Sequence, residues 1–169
     1  MPTPELISEP IRTHYGCFCL FASEKGIRKL KFPSKNRAQN IAPVKSLKAK
    51  KILLEAKKVL SDYFSGKKTD FDKIKIDWTI FGSFERKVLN TLMKVEMGRT
   101  VSYADLARRA QFQNAARAVG NCLNKNPIPI LIPCHRVVRK DSSLGGYGAG
   151  IRWKRILLDL ERKTMARTF

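Results

Sequence analysis

The apolar positions of this chain recur with two periods, and the change of period divides it. Over residues 14–32 they alternate: Tyr15, Cys17, Cys19 and Phe21 interleave with Gly16, Phe18 and Leu20, so both faces carry apolar side chains. Alternation predicts strand. Ser23-Glu24-Lys25-Gly26 has the chemistry of a turn, and Ile27-Arg28-Lys29-Leu30-Lys31-Phe32 begins a return strand that Pro33 closes. Two strands are expected here. Residues 34–43 are polar and predict a connection. From residue 44 to about 64 the spacing is helical: Leu47, Leu54 and Leu60 with Ile52, Ala56, Val59 and Phe64 make one face, and Lys45, Lys48, Lys50, Lys51, Lys57 and Lys58 fill much of the rest. Gly66 is the stop. Ile74 and Ile76 alternate within residues 71–79 and predict a further strand.

The pattern changes near Phe81-Gly82-Ser83, which sets expected domains at 1–81 and 82–169. Ser83-Phe84-Glu85-Arg86 can cap a helix to about Val95, with Val88, Leu92 and Val95 on one face and Gly98 as its stop. Ser102 is the N-cap and Asp105 the capping-box partner of the next helix, which runs to about Ala110. A short turn leads to a second helix from about Asn114 to Leu123. The last helix runs from Ile151 to about Lys163, with Trp153, Ile156, Leu157 and Leu160 as its buried side. Glu161 falls at or beside that stripe and needs a partner, either His135 or one of the many Arg and Lys side chains. The fold class is α+β: a small N-terminal layered domain of strands and a helix, then a helical domain.

Charge narrows the function. Thirty-four Lys and Arg stand against 14 Asp and Glu, a net charge of +20. With 43% hydrophobic residues the chain builds a core and is not a disordered polycation. The excess points to an anionic partner, for which nucleic acid is the commonest candidate, although a lysine run also solvates a helix face. Two short helices joined by a turn on a basic chain look like a helix-turn-helix. The second, Ala115-Ala116-Arg117-Ala118-Val119-Gly120, is made of small side chains around one arginine. It can approach a groove closely but offers little to base edges, so phosphate contacts would carry affinity. Close packing of the alanines and a surface salt bridge for Arg117 are the plainer alternatives.

No apolar run approaches the ~20 residues that span a bilayer. Met1-Pro2-Thr3-Pro4-Glu5 does not begin a secretory signal. An intracellular protein is expected, in the cytoplasm with the nucleoid or in the nucleus. Cys17, Cys19, Cys122 and Cys134 are then reduced thiols. The Cys-x-Cys spacing and the presence of only His14 and His135 give no zinc ligand set, so no metal is expected.

The candidate chemistry lies in residues 126–138, Asn-Pro-Ile-Pro-Ile-Leu-Ile-Pro-Cys-His-Arg-Val-Val. Prolines stiffen this segment, which is expected to be extended. It ends on a thiol, an imidazole and a guanidinium. A free thiol titrates near ~8.5 and needs a base or a cation beside it to ionise at neutral pH. His135 could take the proton from Cys134, directly or through water, with Glu161 orienting the ring. Asn126 can brace the turn through its own backbone. Tyr147, within Gly145-Gly146-Tyr147-Gly148-Ala149-Gly150, could wall a pocket. A small buried cysteine, an acyl hydrolase and a DNA-binding protein without chemistry remain alternatives. For a target inside a duplex the base must be flipped out, and Arg117 could fill the gap.

Pro133-Cys134-His135-Arg136-Val137, preceded by Asn126-Pro127-Ile128-Pro129-Ile130-Leu131-Ile132, resembles the active-site signature of the O6-alkylguanine-DNA alkyltransferases, the methylated-DNA–protein-cysteine methyltransferases. Thr100-Val101-Ser102-Tyr103, Ala116-Arg117-Ala118-Val119-Gly120 and the Gly-Tyr loop extend the resemblance from about Phe84 to Glu161. It implies a ribonuclease-H-like N-terminal domain and a monomer that binds double-stranded DNA containing O6-alkylguanine. It implies irreversible transfer of the alkyl group to Cys134, once, without a cofactor; O4-alkylthymine is a further substrate it allows. By the same resemblance His135 is the water-mediated base and Glu161 its orienting acid. Tyr103 crowds the target phosphate and hydrogen-bonds the flipped base. Arg117 is the intercalating finger on a helix in the minor groove, with Ser102, Ala116 and Lys125 along the DNA. Asn126 and Pro129 shape the substrate pocket, Val137 and Cys134 offer carbonyls to the guanine amine, and Tyr147 and Gly148 line it. Asn124 stands where some members carry arginine, Leu89 where tryptophan is common, and Phe81-Gly82-Ser83-Phe84-Glu85 replaces the usual Gly-Thr-x-Phe-Gln entry. The related alkyltransferase-like proteins lack the cysteine that this chain has.

Overall fold

In a computed structural model, which describes residues 6–34 and 46–167, the chain opens with three strands rather than two. β1 (Ile7–Thr13), β2 (Gly16–Ser23) and β3 (Gly26–Lys31) form an antiparallel meander in the order β1-β2-β3. The expected turn at Glu24-Lys25 joins β2 to β3, and Ser23 faces Gly26 across it. The unexpected strand is β1. Glu9, Pro10 and Arg12 interrupt its alternation, but Ile7 and Ile11 are fully buried and pair with Ala22 and Phe18. Proline is tolerated because β1 is an edge.

The segment expected to form a strand at residues 71–79 makes only a single bridge, Ile76 to Ile27. Ile27 N donates to Lys75 O at 2.8 Å and Asp77 N to Ile27 O at 3.0 Å. Gly26 is needed beside this crossing: its φ is +149°, and a Cβ there would lie 2.5 Å from Asp77 N. Asp77 in turn accepts from the Ser23 hydroxyl at 2.8 Å.

Helix α1 (Leu47–Phe64) lies on β1 and β2. Its expected start at residue 44 and the expected connection at 35–43 lie outside the described residues; Ser46 caps the helix through Ala49 N. The buried face keeps the expected Ile52, Ala56, Leu60 and Phe64, with Val59 half-buried beside them, but not Leu47 and Leu54. Leu47 is 83% exposed and Leu54 48% exposed, whereas Ala49, Ile52, Leu53, Ala56, Leu60, Tyr63 and Phe64 are buried. Those positions keep the i, i+3, i+4 rhythm; Leu54 lies off that stripe. Gly66, at φ +75°, follows the helix.

Helix α2 (Ser83–Met93) starts one residue earlier than a Ser83 cap would give, with Gly82 at its N-cap, and ends two residues short of Val95. Strand β4 (Val101–Ser102) leads into α3 (Tyr103–Arg109), capped as expected: Asp105 N donates to Ser102 Oγ at 3.0 Å. Gln111 and Asn114, both at positive φ, turn the chain into α4 (Ala116–Asn124). Residues 126–138 are not extended throughout. Ile130 sits at φ +73° and reverses the chain, with Ile132 N bonded to Ile128 O at 3.0 Å. Prolines fix their own φ but leave the residues between them free to turn. A left-handed β-branched residue is strained, and its neighbours hold it there. A 3-10 turn at Cys134–Arg136 then enters β5 (Val137–Val138), parallel to β4.

Helix α5 (Ile151–Ala166) closes the fold. It buries Lys154, Leu157, Leu160, Glu161 and Thr164, while the expected Ile156 and Trp153 are half-buried. The core is continuous across both halves: Phe18 stacks on Phe64 at 4.6 Å between centroids and meets Trp153 of α5 at 5.5 Å. No helix is long and apolar enough to cross a membrane among the described residues.

The revised α1 face makes a direct prediction. Leu60→Ala destabilises the fold by about 2–5 kcal/mol, the range for emptying a buried leucine site. Leu54→Ala changes it by less than about 0.5 kcal/mol, as surface substitutions do. Urea unfolding of the two variants reads both.

Candidate active site

The site is assembled where three elements meet: the turn Cys134–Arg136, helix α5, and the α3–α4 pair. Parallel pairing of Val101 with Val137 and Ser102 with Val138 fixes the turn against the start of α3. Cys134 is 6% exposed and His135 and Glu161 are fully buried. His135 Nε2 lies 2.7 Å from Glu161 Oε1. Arg136 also grips Glu161, with Nε at 3.0 Å from Oε2 and Nη2 at 3.0 Å from Oε1. The Tyr63 hydroxyl donates to Oε1 at 3.0 Å and Gly98 N to Oε2 at 2.9 Å. Both partners expected for a carboxylate on this stripe, imidazole and guanidinium, are therefore present.

These contacts set the charges. Burial alone would raise the Glu161 carboxyl, but the His135 and Arg136 partners outweigh it and hold it at about 2. Burial pushes the His135 pKa down, against the pull of Glu161, so the ring is neutral at pH 7. With Nε2–H donated to the carboxylate, Nδ1 carries the free lone pair; it is buried and has no hydrogen-bond partner among the described residues. Burial raises the Cys134 pKa, while the Asn126 amide, the Lys154 charge and the nearby Tyr147 hydroxyl pull it back. The resting sulfur is a thiol surrounded by groups that favour the thiolate.

Asn126 supplies one of those groups directly. Its Nδ2 donates to Ile132 O at 3.0 Å and to Cys134 Sγ at 3.2 Å, while its Oδ1 accepts from Ile128 N at 3.0 Å. The expected brace is therefore made, and it reaches the sulfur. Lys154 was not singled out by its sequence position. Its Nζ donates to Val137 O at 2.6 Å and Gly146 O at 3.3 Å and lies 5.9 Å from the Tyr103 ring centre. Burial lowers its pKa to about 8. Val137 itself is in the core, and its carbonyl, expected to face a ligand amine, keeps one lone pair beyond the lysine contact.

Two cavities border the thiol. The larger, about 710 Å³, brings together Tyr103, Ala116, Arg117, Cys134, Tyr147 and Gly148 of the expected residues, with Asn121, Asn124 and Arg139 added. The smaller, about 320 Å³, holds Lys125, Asn126 and Pro129 with Lys29, Leu30 and Phe32 of the N-terminal half. Gly145 permits the close approach of Tyr103, whose hydroxyl would lie 3.0 Å from a Cβ there. Burial raises the Tyr103 pKa, which keeps its proton in place. Arg117 is exposed at the cavity rim without an acidic partner among the described residues. Ser102 lines neither cavity, and its hydroxyl is taken up by the α3 cap. No group of three or more His, Cys, Asp or Glu side chains suited to a metal occurs among the described residues.

The motif could reveal Cys134, His135 and Arg136, but Tyr63 and Gly98 enter only through tertiary contact. A cation on an otherwise apolar helix face, Lys154 beside Leu157, was the one signal available for the lysine.

Two family descriptions match the chain. Residues 7–78 match the ribonuclease-like domain of 6-O-methylguanine DNA methyltransferase, and residues 83–163 match its DNA-binding domain. A Methanosarcina barkeri protein named methylated-DNA–protein-cysteine methyltransferase is 36% identical over 162 residues, 95% of this chain and 98% of that one. A Metallosphaera sedula protein of the same name is 48% identical over 104 residues, 62% of this chain and 64% of that one. Among solved structures, Mycobacterium tuberculosis OGT in complex with DNA superposes with a TM-score of 0.77 at 31% identity, covering 93% of each chain.

The charge on Glu161 sets a prediction. Because its folded pKa is depressed, its contribution to stability is complete above the unfolded value near ~4.3 and is lost as pH falls toward 2. Glu161→Gln destabilises the fold at pH 7 by about 3–5 kcal/mol, the range for breaking a buried pair. The gap between wild type and variant narrows at pH 3. Urea unfolding at the two pH values gives the comparison; a gap that stays constant would remove the charge from the account.

Proposed function

The chain belongs to the 6-O-methylguanine DNA methyltransferase family, and on that footing we propose how it repairs DNA by moving an alkyl group from a damaged base to one of its own cysteines. The acceptor is Cys134. The substrate is O6-alkylguanine in double-stranded DNA, with O4-alkylthymine as a further one. The observation that carries this reading is a thiol at the wall of a 710 Å³ cavity, backed by a neutral imidazole whose other nitrogen is tied to a buried carboxylate.

A base in a duplex cannot reach a thiol this far inside the protein, so it is flipped out at a cost of a few kcal/mol. The small side chains of α4 let the helix lie close in the minor groove, and Arg117 fills the gap in the stack. Ala116 and Lys125 run along the DNA, and Tyr103 crowds the phosphate of the extruded nucleotide. Ser102 acts there through its backbone and the cap it provides.

His135 Nδ1 takes the Cys134 proton through a bridging water, and Glu161 holds the ring in the tautomer that leaves Nδ1 bare. The thiolate forms beside the Lys154 cation and the Asn126 amide. Its electron pair makes the S–C bond as the C–O6 bond breaks, and that bonding pair stays on the guanine, which takes a proton from the Tyr103 hydroxyl. The product is a thioether. No group at the site can return it to a thiol, so each molecule acts once and needs no cofactor. Tyr147, Gly148 and Pro129 wall the bound base and its alkyl group. The division at residues 81 and 82 belongs to the same proposal: the second domain carries DNA and acceptor, in a monomer working where the genome is held.

Incubation with a duplex carrying O6-methylguanine adds one methyl to Cys134 and stops after one equivalent, as weighed on the intact protein and its peptides. An unmodified protein that still binds DNA would instead be a damage sensor, and repeated ester or peptide turnover a hydrolase. Arg117→Ala slows transfer from duplex by about tenfold or more, since gap filling offsets a few kcal/mol of unstacking. It leaves transfer from the free alkylguanine base within about twofold, because no stack is broken there. Equal slowing of both would remove the finger role.

A further inference from the structure

The smaller cavity beside Cys134 is walled partly by the N-terminal half, and the charged side chains that line it among the described residues are cationic. Strand β3 is an edge strand, and Leu30 N donates to Pro127 O at 2.9 Å, which fastens it to the segment that carries the thiol. Phe32 meets Tyr147 edge-on at 6.3 Å and Trp153 at 4.9 Å between centroids. This contact fastens the strand that brings Lys29 to the cavity, which Lys125 at the C-cap of α4 also lines. Both lysines are exposed, and neither has an acidic partner among the described residues. Among the described residues no Asp or Glu lines the cavity.

The geometry of transfer says what enters this space. The sulfur attacks carbon from the side opposite O6, so S, C and O lie in line and the rest of the alkyl group projects sideways. The base occupies the larger cavity, with Tyr103 and Arg117. Both cavities share Cys134, Tyr147 and Gly148, so a sideways substituent points into the smaller one. Resting on the function proposed above, we infer that Lys29 and Lys125 select O6-alkyl groups bearing an anion, such as a carboxymethyl group. The N-terminal half thereby contributes a specificity residue to a reaction whose chemistry lies wholly in the C-terminal half. The sulfur pair forms the bond to the methylene carbon, the C–O6 pair passes to guanine, which takes a proton, and the carboxylate crosses unchanged. It finishes on Cys134 between the two ammonium groups.

The test compares duplexes carrying O6-carboxymethylguanine or its neutral isostere O6-carbamoylmethylguanine, with intact mass reading the rate of Cys134 alkylation. The ratio of the two rates falls by about 1.5-fold to fivefold in Lys29→Met and further in the Lys29→Met/Lys125→Met pair, the span expected for exposed ion pairs. Lys29→Arg keeps the ratio and Lys29→Glu lowers it beyond the Met variant. A ratio unchanged in all variants overturns the inference. So does equal slowing of both lesions in Lys29→Met, which would make Lys29 a phosphate contact; slowing of both by loss of the DNA contact of Lys125 cancels in the ratio. O6-methylguanine, whose alkyl group is too short to reach either lysine, separates the two levels. If wild type does not methylate Cys134, the proposed function itself fails; if it does so without a charge-dependent ratio, only this inference fails.

Discussion

A single buried carboxylate organises this protein. Glu161 is fully buried on α5 and receives His135, Arg136, Tyr63 and Gly98 N. A charge removed from water has to be paired and hydrogen-bonded, or it is neutralised. These four partners come from three parts of the chain: His135 and Arg136 from the turn after the proline segment, Tyr63 from the end of α1, and Gly98 from the loop after α2. Meeting the demand of one carboxylate therefore positions the imidazole, the Cys134 turn and the two halves of the chain together. The same contacts hold the histidine ring to one orientation, with Nε2 on the carboxylate and Nδ1 without a hydrogen-bond partner among the described residues.

The rest of the site is preorganised around the sulfur. Asn126 donates to it, Lys154 supplies a nearby cation, and Tyr147 stands close to it across the cavity wall. Burial nevertheless keeps the thiol protonated at rest. Such a sulfur is shielded from casual oxidation and is activated where a base can take its proton. The positive φ of Ile130 belongs with this arrangement, because the reversal it makes brings Asn126 back to the sulfur eight residues on. The strain of that residue is held by the surrounding buried Ile128, Leu131 and Ile132.

The sequence was most legible where local rules decide. Ser102 and Asp105 announce the start of α3, and the Pro-Cys-His-Arg-Val run marks the Cys134 turn. It was less legible where distance along the chain is large. Tyr63 reaches Glu161 across 98 residues, and no spacing rule connects them. Lys154 reads as a surface residue until the helix face that carries it is seen packed under the Gly-Tyr loop. Strand β1 was hidden because Glu9, Pro10 and Arg12 suit an edge as well as they suit a loop. On α1 the expected Ile52, Ala56, Leu60 and Phe64 are buried, but Leu47 and Leu54 are not, since leucine at an exposed position looks the same as leucine in the core.

The central claim is that Glu161 fixes His135 as a neutral Nε2–H tautomer. Nitrogen-15 NMR of histidine-labelled protein measures this directly, with His14→Gln assigning the two rings. The account predicts that the His135 ring is neutral at pH 7, with the proton on Nε2 and Nδ1 bare, and that it stays so below the ordinary imidazole range. A ring protonated on Nδ1, or an imidazolium already present at neutral pH, would contradict it.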